Sequence, residues 1–547
     1  VNLSHDKERY EATNMNFRED ENPLAVDVAI VGGGPTGLIA AALLGRRHRV
    51  ALIERQPARY SLPRAGHIDH EILRILQGLD AHQAIIDDEL PLDICHWVNG
   101  DGETLIAFPW GKESVSGFLT DYMMFQPNLE TGVYDAIERA AGKPFVAMGW
   151  EVFDVEQQTD GVLLTARPKD AGGQGETMSV RASYVLAADG AKSPMRKRLD
   201  ISQHDYGFSE RWLDVDVRIK KPLPQAAIDQ QANIICDPSR PRLLGPLGRR
   251  HFRWEWMLFE DEKVEDFEKP EKAWELLAEW EVTPDHVEIL RDVVYQFEAK
   301  IAEEWRRDRI FLLGDAAHTM PPHMGQGMCS GIRDAANLAW KLDLVLRGVA
   351  GETILDTYEE ERRPHSDSWI QISMAVGEVS CTTDPVKAAV RDEALFGGQL
   401  PPMPDFPTLT GGLLQTNARA EVADLVGQLF RQAEVSANDR RGLFHDVFGQ
   451  GFHLVSGAGD PRDVLTPQGQ AILEELEATV SWIGDEAGGD GAFADPSGKY
   501  REYFADVAAV LVRPDYYVFG VVLDLADLPS LLDDCASQLQ LGGAVSL

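Results

Sequence analysis

Apolar and polar positions along this chain follow two rhythms, and the switches between them mark the elements. Val26 to Val31 is a β-branched apolar run that ends in glycines, a helical pattern follows from Pro35 to about Arg47, and Arg49 to Ile53 is a second apolar run ending at Glu54. Strand, glycine-rich turn, helix and strand predict a βαβ unit with a parallel sheet. Residues 92 to 126 alternate apolar and polar groups around the turn signal Asn99-Gly100-Asp101-Gly102 and predict antiparallel strands. Tyr184 to Ala188 is another buried-type strand, ending in Asp189-Gly190. Residues 205 to 300 alternate and are rich in aromatics (Trp212, Phe252, Trp254, Trp256), with one helical stretch near 271 to 281. The three tryptophans predict a packed core, since an aromatic-rich sheet buries its rings on one face whatever its function. Arg309 to Leu313 predicts a strand and Gly327 to Leu346 a long helix; beyond about residue 385 a proline-rich linker, Leu400 to Pro407, leads into further α/β pattern.

These elements predict an α/β protein: a Rossmann-like nucleotide-binding domain with a mixed or antiparallel sheet domain inserted into it, and a separate C-terminal unit. The expected boundaries are a polar tail at 1–22, a discontinuous nucleotide-binding domain at 23–91, 127–204 and 301–385, a substrate-binding sheet at 92–126 with 205–300, and a C-terminal domain at 386–547. A length of 547 residues suits two or three such domains.

Charge narrows the function by exclusion. A formal net charge of −37 repels phosphate backbones and anionic lipid, which argues against nucleic-acid and membrane-surface roles. An anionic cofactor must then be met by local Arg or Lys. The apolar stretch Leu24 to Gly45 contains Asp27 and Gly32-Gly33-Gly34-Pro35, which argues against a membrane span or signal peptide. Cys95, Cys236, Cys329, Cys381 and Cys535 form no CxxC pair, so neither a metal site nor a dithiol centre is expected, and reduced thiols suit a cytoplasmic protein.

Three motifs carry chemistry. In Gly32-Gly33-Gly34-Pro35-Thr36-Gly37, Gly32 permits a tight turn, Gly34 lets the backbone approach a pyrophosphate, and Gly37 allows the helix to pack on the strand. Glu54, at the end of the second strand, is placed to accept hydrogen bonds from a ribose, which favours FAD or NAD over a 2′-phosphorylated cofactor. The segment Ala188-Asp189-Gly190-Ala191-Lys192-Ser193-Pro194-Met195-Arg196 ends a buried strand and opens toward a basic turn; taken alone it reads as an ordinary β-turn in which Ser193 or Asp189 caps a helix. In the third, Gly314-Asp315-Ala316-Ala317-His318 is followed by Pro321-Pro322-His323-Met324-Gly325-Gln326-Gly327. Asp315 at a strand end can hold sugar-type hydroxyls, the prolines make a stiff wall for a planar ring, and the glycines free N–H groups at a positive helix start.

Together, GGGPTG with Glu54-Arg55, ADGAKSPMR and GDAAHTMPPHMGQG resemble the three fingerprints of the single-component FAD-dependent aromatic hydroxylases, the p-hydroxybenzoate hydroxylase class. The likeness covers roughly residues 25 to 365, including the helix DAANLAWKL. Arg253-Trp254-Glu255-Trp256-Met257 and the phrase LVRPDYYVFG resemble more narrowly the branch acting on 3-(3-hydroxyphenyl)propionate and related phenols. The resemblance implies FAD as cofactor, NADPH or NADH as electron donor, O₂ as co-substrate, a phenolic acid as substrate, and oxygen transfer through a flavin C4a-hydroperoxide. By the same kinship, Gly32, Gly34, Pro35, Thr36, Gly37, Glu54 and Arg55 would hold the ADP half of FAD. Arg64 would lie near the pyrophosphate and the nicotinamide donor, and Gln126 near the ribitol. Asp189 would sit between FAD and NAD(P)H, and Asp315 on ribitol and pyrophosphate. Pro322, Gly325, Gln326, Gly327, Met328 and Cys329 would surround the flavin ring. Cys329 departs from the asparagine or small residue of many relatives. The part beyond about residue 390 resembles the thioredoxin-like appendage of this class; with Cys535 as its one cysteine, it is expected to give structural support or a homodimer contact.

Hydroxylation of a phenol needs water excluded and a base within hydrogen-bond reach of the hydroxyl. Tyr206, Asp214, His251 and His323 are the candidates, with His323 best placed because it lies inside the proline loop. Three rival readings remain open at this point. A flavin-dependent halogenase continues its Trp-x-Trp into Ile-Pro, where this chain has Met257-Leu258. The motifs leave room for a Baeyer–Villiger or epoxidising monooxygenase, and a flavin-binding protein without turnover is the third.

Overall fold

The computed structural model describes residues 23–90, 92–169, 176–229, 233–399, 406–484 and 489–541. The polar tail expected at 1–22 and part of the proline-rich linker lie outside these residues. Leu24–Val31 forms the centre of the first sheet because its run of Val, Ala and Ile is covered on both sides. It pairs in parallel with Val50–Glu54 on one side and Met178–Ala187 on the other. Ile310–Leu312 and Phe145–Met148 extend the parallel order outward. Trp150–Gln158 and Gly161–Pro168 add an antiparallel flap to Met178–Ala187. The helices Pro35–Leu44 and Gln326–Leu346 pack against one another over this sheet. Small residues allow it: a Cβ on Gly331 would lie 2.4 Å from Thr36 Oγ1.

The second sheet runs, in spatial order, His318–Thr319, Val287–Ala302, Gln203–Ile219, His251–Leu258, Arg242–Pro246, Asn233–Ile235, Ile94–Val98 and Thr104–Pro109. The segments 92–126 and 205–300 thus supply most of one sheet. Asp121–Met123 pairs elsewhere, with His67–Asp69. Successive side chains of Gln203–Ile219 point to opposite faces. Leu213, Val215 and Val217 join Phe252, Trp254, Trp256, Phe267 and Trp280 in an apolar core. Trp212, Asp214 and Asp216 face the other way. All three tryptophans are buried, as expected, but on two faces: Trp254 and Trp256 lie in this core, whereas the indole N–H of Trp212 donates to Glu210 at 3.0 Å on the opposite face.

Beyond the linker, His453–Ser456 is the middle of a five-stranded mixed sheet, parallel to Thr479–Ile483 and antiparallel to Ala509–Val512. This unit joins the rest through buried charges. Arg513 donates to Glu361 (2.6 and 3.0 Å) and to Asp515, while Lys341 and Asn337 donate to the same group of acids from the helix Gln326–Leu346. Tyr517 also donates to Glu71 at 2.9 Å. Among the described residues no helix is long and apolar enough to cross a membrane.

Candidate active site

A cavity of about 1250 Å³ opens between the strand ends of the first sheet and the polar face of the second. Segments far apart in sequence meet on it. Gly32 to Thr36, Glu54, Arg55, Arg64, Gln126, Asp189, Asp315, Pro322, Gly325, Gly327 and Met328 all line it.

The first turn does what its glycines require. Gly32 adopts φ +109°, and a Cβ there would lie 2.2 Å from the Ala188 carbonyl oxygen. Gly37 stands behind the lining, where a Cβ would meet the Gly32 carbonyl oxygen at 2.0 Å; its role is helix–strand packing. At Gly34 an added Cβ meets nothing within 4 Å beyond its chain neighbours, so the space beside it is cavity and not protein. Glu54 accepts hydrogen bonds from the N–H of Gly33 and of Gln56, both at 2.6 Å, which fixes its carboxylate at the strand end.

Asp189 anchors the turn that its motif predicts. It lines the cavity, and its carboxylate accepts from Ser193 Oγ at 2.5 Å and Met195 N at 2.9 Å, while Ser193 caps Arg196 N. Gln126 is held by the N–H groups of Ala65 (2.8 Å) and Arg64 (3.2 Å). The carboxylate of Asp315 is exposed and lines the cavity. Gln326 and Cys329 lie behind the lining. Gln326 bridges Asp69 and Arg333, and the Cys329 thiol donates to the Gly325 carbonyl at 3.5 Å. Gly325, at φ +63°, starts the helix Gln326–Leu346 with no side-chain cap, and a Cβ there would strike the His67 ring. Turn, helix starts and carboxylates therefore leave a cradle whose open positions fit a flavin dinucleotide.

The candidate bases separate by position. The register irregularity between Asp205 and Ser209 turns Tyr206 away, and its hydroxyl donates to Asp367. His251, at a strand end, stacks on Phe125 with centroids 3.7 Å apart, and burial lowers its pKa to about 4. Neither lines the cavity. His323 does, but its Nε2 lies 3.3 Å from Glu210 and 3.9 Å from the Cys381 thiol. Burial alone would lower its pKa; Cys381 and Glu210 outweigh that and take it to about 10, so the ring keeps its proton. Glu210, His323 and Cys381 bring ligand-type atoms within 4.8 Å of one another.

Asp214 is the candidate that faces the cavity from the sheet, 2% exposed, with Oδ1 lacking a hydrogen-bond partner among the described residues. Sequence reasoning missed its neighbours. Asp216 is taken by Arg253 (2.7 and 3.0 Å) and by Arg291 (3.0 Å), and Glu255 stands directly across the ladder from Asp214. Acids and arginines at every second position of otherwise apolar strands were the signal. Only the strand register shows that they meet.

Comparison with known proteins agrees with this geometry. The model of the FAD binding domain family matches residues 25–373, and that of the HcaD C-terminal domain matches 427–538. The chain is 36% identical over 515 residues to a probable NADH-specific resorcinol 4-hydroxylase of Rhodococcus jostii (strain RHA1), covering 93% of this chain and 94% of that one. It is 32% identical over 529 residues to a 3-(3-hydroxy-phenyl)propionate/3-hydroxycinnamic acid hydroxylase of Mycolicibacterium smegmatis (strain ATCC 700084 / mc(2)155), covering 91% of each. In fold it resembles the flavin-dependent monooxygenase PieE, solved with FAD and substrate (TM-score 0.78, 22% identity, 95% of this chain and 100% of that one). Aklavinone-11 hydroxylase, solved with FAD and aklavinone, is similar (TM-score 0.74, 24% identity, 96% and 100%). With the dinucleotide cradle, the proline loop and the polar sheet face closing on one cavity, the chain belongs to the family of FAD-dependent aromatic hydroxylases.

Proposed function

We propose that this flavoprotein hydroxylates a phenol held between the Pro321–Met324 loop and the polar face of the second sheet, with Asp214 receiving the phenol's hydroxyl. The observation that carries the reading is Asp214 itself: a buried carboxyl group, short of hydrogen-bond partners, in the wall of the cavity that the three motifs share.

FAD, when bound, supplies the redox chemistry, taking two electrons from NAD(P)H and activating O₂. The balance consumes one NAD(P)H, one proton and one O₂; one oxygen atom goes to the ring and the other leaves as water. Glu54 and Asp315 are placed to hold ribose and ribitol hydroxyls, and Arg64 and Lys192 offer positive charge to the phosphates that an acidic protein otherwise repels. Trp97, Phe108, Leu244, Leu247, Met320 and Met324 keep water from the reacting atoms. Asp214 draws on the phenol proton and raises electron density on the ring carbons that are to be oxygenated. His323, ion-paired with Glu210, holds the loop against the sheet and is not the base.

The relative named as NADH-specific supports NADH as the donor, and the relatives' names support resorcinol or a hydroxyphenylpropanoid as the substrate type. Five unpaired cysteines suit a reducing compartment. The test is a phenol panel with NADH and NADPH, scored for stimulated nicotinamide oxidation and for product mass. Hydroxylated product with NADH supports the reading. Oxygen insertion into ketones or alkenes with phenols left untouched would replace it with a Baeyer–Villiger or epoxidising activity.

A further inference from the structure

The polar face of the second sheet carries a small closed balance of charge. Three carboxyl groups, Asp214, Asp216 and Glu255, meet two guanidinium groups, Arg253 and Arg291, and all five are nearly buried. Asp216 takes both arginines in short, direct hydrogen bonds. Asp214 and Glu255 are left with the remainder: Arg253 Nη1 stands 3.8 Å from Asp214 and 3.4 Å from Glu255, and Arg291 stands 4.0 Å from Asp214. The third nitrogen of Arg253 is further committed to the Arg64 carbonyl at 2.8 Å. Three carboxyl groups against two guanidinium groups leave this part of the sheet short of positive charge, and the protonated His323, itself paired with Glu210, offsets it at Glu255 only in part. Asp214 and Glu255, opposite one another in register, are the two carboxyl groups with the longer and weaker pairings. Desolvation raises both carboxyls above their ordinary values, with repulsion from Glu255 adding to the effect on Asp214.

Asp214 and Glu255 both line the cavity, and a carboxyl group can accept from a phenol hydroxyl or donate to it. A ligand carboxylate finds no free cation on the same wall among the described residues. Arg253 is committed to Asp216, His67 is paired with Asp121 at 2.9 Å, and His323 is paired with Glu210. Arg64, over the Tyr60 ring at 4.4 Å, is the remaining described cation near the sheet, and the cofactor's phosphates compete for it.

We infer that the Asp214–Glu255 pair is a hydroxyl-binding site that selects uncharged phenols, of the resorcinol or alkylphenol type, over phenols bearing a carboxylate. The inference rests on the phenol reading above and names its substrate class.

The experiment uses the FAD-loaded full chain and reads ligand binding, by perturbation of the flavin absorbance, separately from turnover. The probes are resorcinol, 3-methylphenol and its O-methyl ether, and 3-(3-hydroxyphenyl)propionate with its primary amide. Resorcinol and the amide are expected to bind about tenfold or more tightly than the acid, since an unpaired buried charge costs more than one unit of pKa. The wild-type protein should prefer 3-methylphenol to its ether by about tenfold, and Asp214→Ala should abolish that preference. Where Asp214→Ala does not fold, Asp214→Asn is read the same way and should reduce the preference. Acid bound as tightly as its amide, with the loss of acid binding in Arg64→Ala, would overturn the inference while leaving hydroxylation intact. A hydroxyl preference unchanged in both Asp214 variants would overturn it too. If phenols bind with the expected selectivity but none is hydroxylated, the selectivity stands and the proposed reaction fails; if none binds, both fail.

Discussion

Gly32 and Gly34, two positions apart in one turn, serve different ends. Gly32 needs φ +109° and touches the neighbouring strand, so Gly32→Ala should lower both thermal stability and FAD affinity. A Cβ at Gly34 would meet no protein atom within 4 Å beyond its chain neighbours, so Gly34→Ala should leave the melting temperature within about a degree or two. Its methyl group would instead occupy cofactor space, and FAD affinity should fall by about tenfold or more. Apoprotein titrated with FAD, alongside thermal denaturation, separates the two outcomes. Both glycines are legible in the sequence because their motif lies within a few positions of its own strand end. Asp214 is legible as a candidate only. Its partners Asp216, Arg253, Glu255 and Arg291 come from three strands, and no local spacing reveals which of them meet.

At the scale of elements, the second sheet is a wall with two unlike faces. Trp254 and Trp256 close the apolar side against Trp280, at centroid distances of 6.3 and 5.8 Å. Trp254→Ala should cost about 3–5 kcal/mol, seen as a lower denaturation midpoint, with FAD affinity in the surviving folded protein little changed. Alternation shows that these strands have two faces. It does not say which face meets the flavin, and so residue type alone groups Trp212 with Trp254 and Trp256 although it is buried on the other face. The same limit applies to Tyr206 and His251, whose types suit catalysis but whose positions, at an irregularity and a strand end, take them off the cavity.

At the scale of the molecule, the C-terminal unit is fastened by charge as much as by apolar contact. Arg513→Met would leave Glu361 and Asp515 buried without their main partner, and should cost about 3–5 kcal/mol. Urea denaturation followed by intrinsic fluorescence checks it, since Arg513 lies over the Trp340 ring. The acid limb of stability follows from the same group. Burial would raise the Glu361 carboxyl, but Arg513 and Lys341 outweigh it and hold it at about 2, below the ordinary 4.5. A depressed carboxyl contributes stability above the unfolded value and loses it as pH falls toward the folded one. The stability gap between the wild type and Glu361→Gln should therefore close as pH falls between about 4.5 and 2. A gap that persists to pH 2 would contradict the assignment.

Cradle, two-faced sheet and charge-fastened C-terminal unit all serve, on this account, oxygen transfer to a phenol ring. The most direct test is turnover of resorcinol with NADH under ¹⁸O₂, with the product mass and peroxide measured together. The account predicts one ¹⁸O atom in each hydroxylated product and nicotinamide oxidation matched to product. Product oxygen drawn from water, or NADH oxidation that yields peroxide alone across the phenol panel, would contradict it.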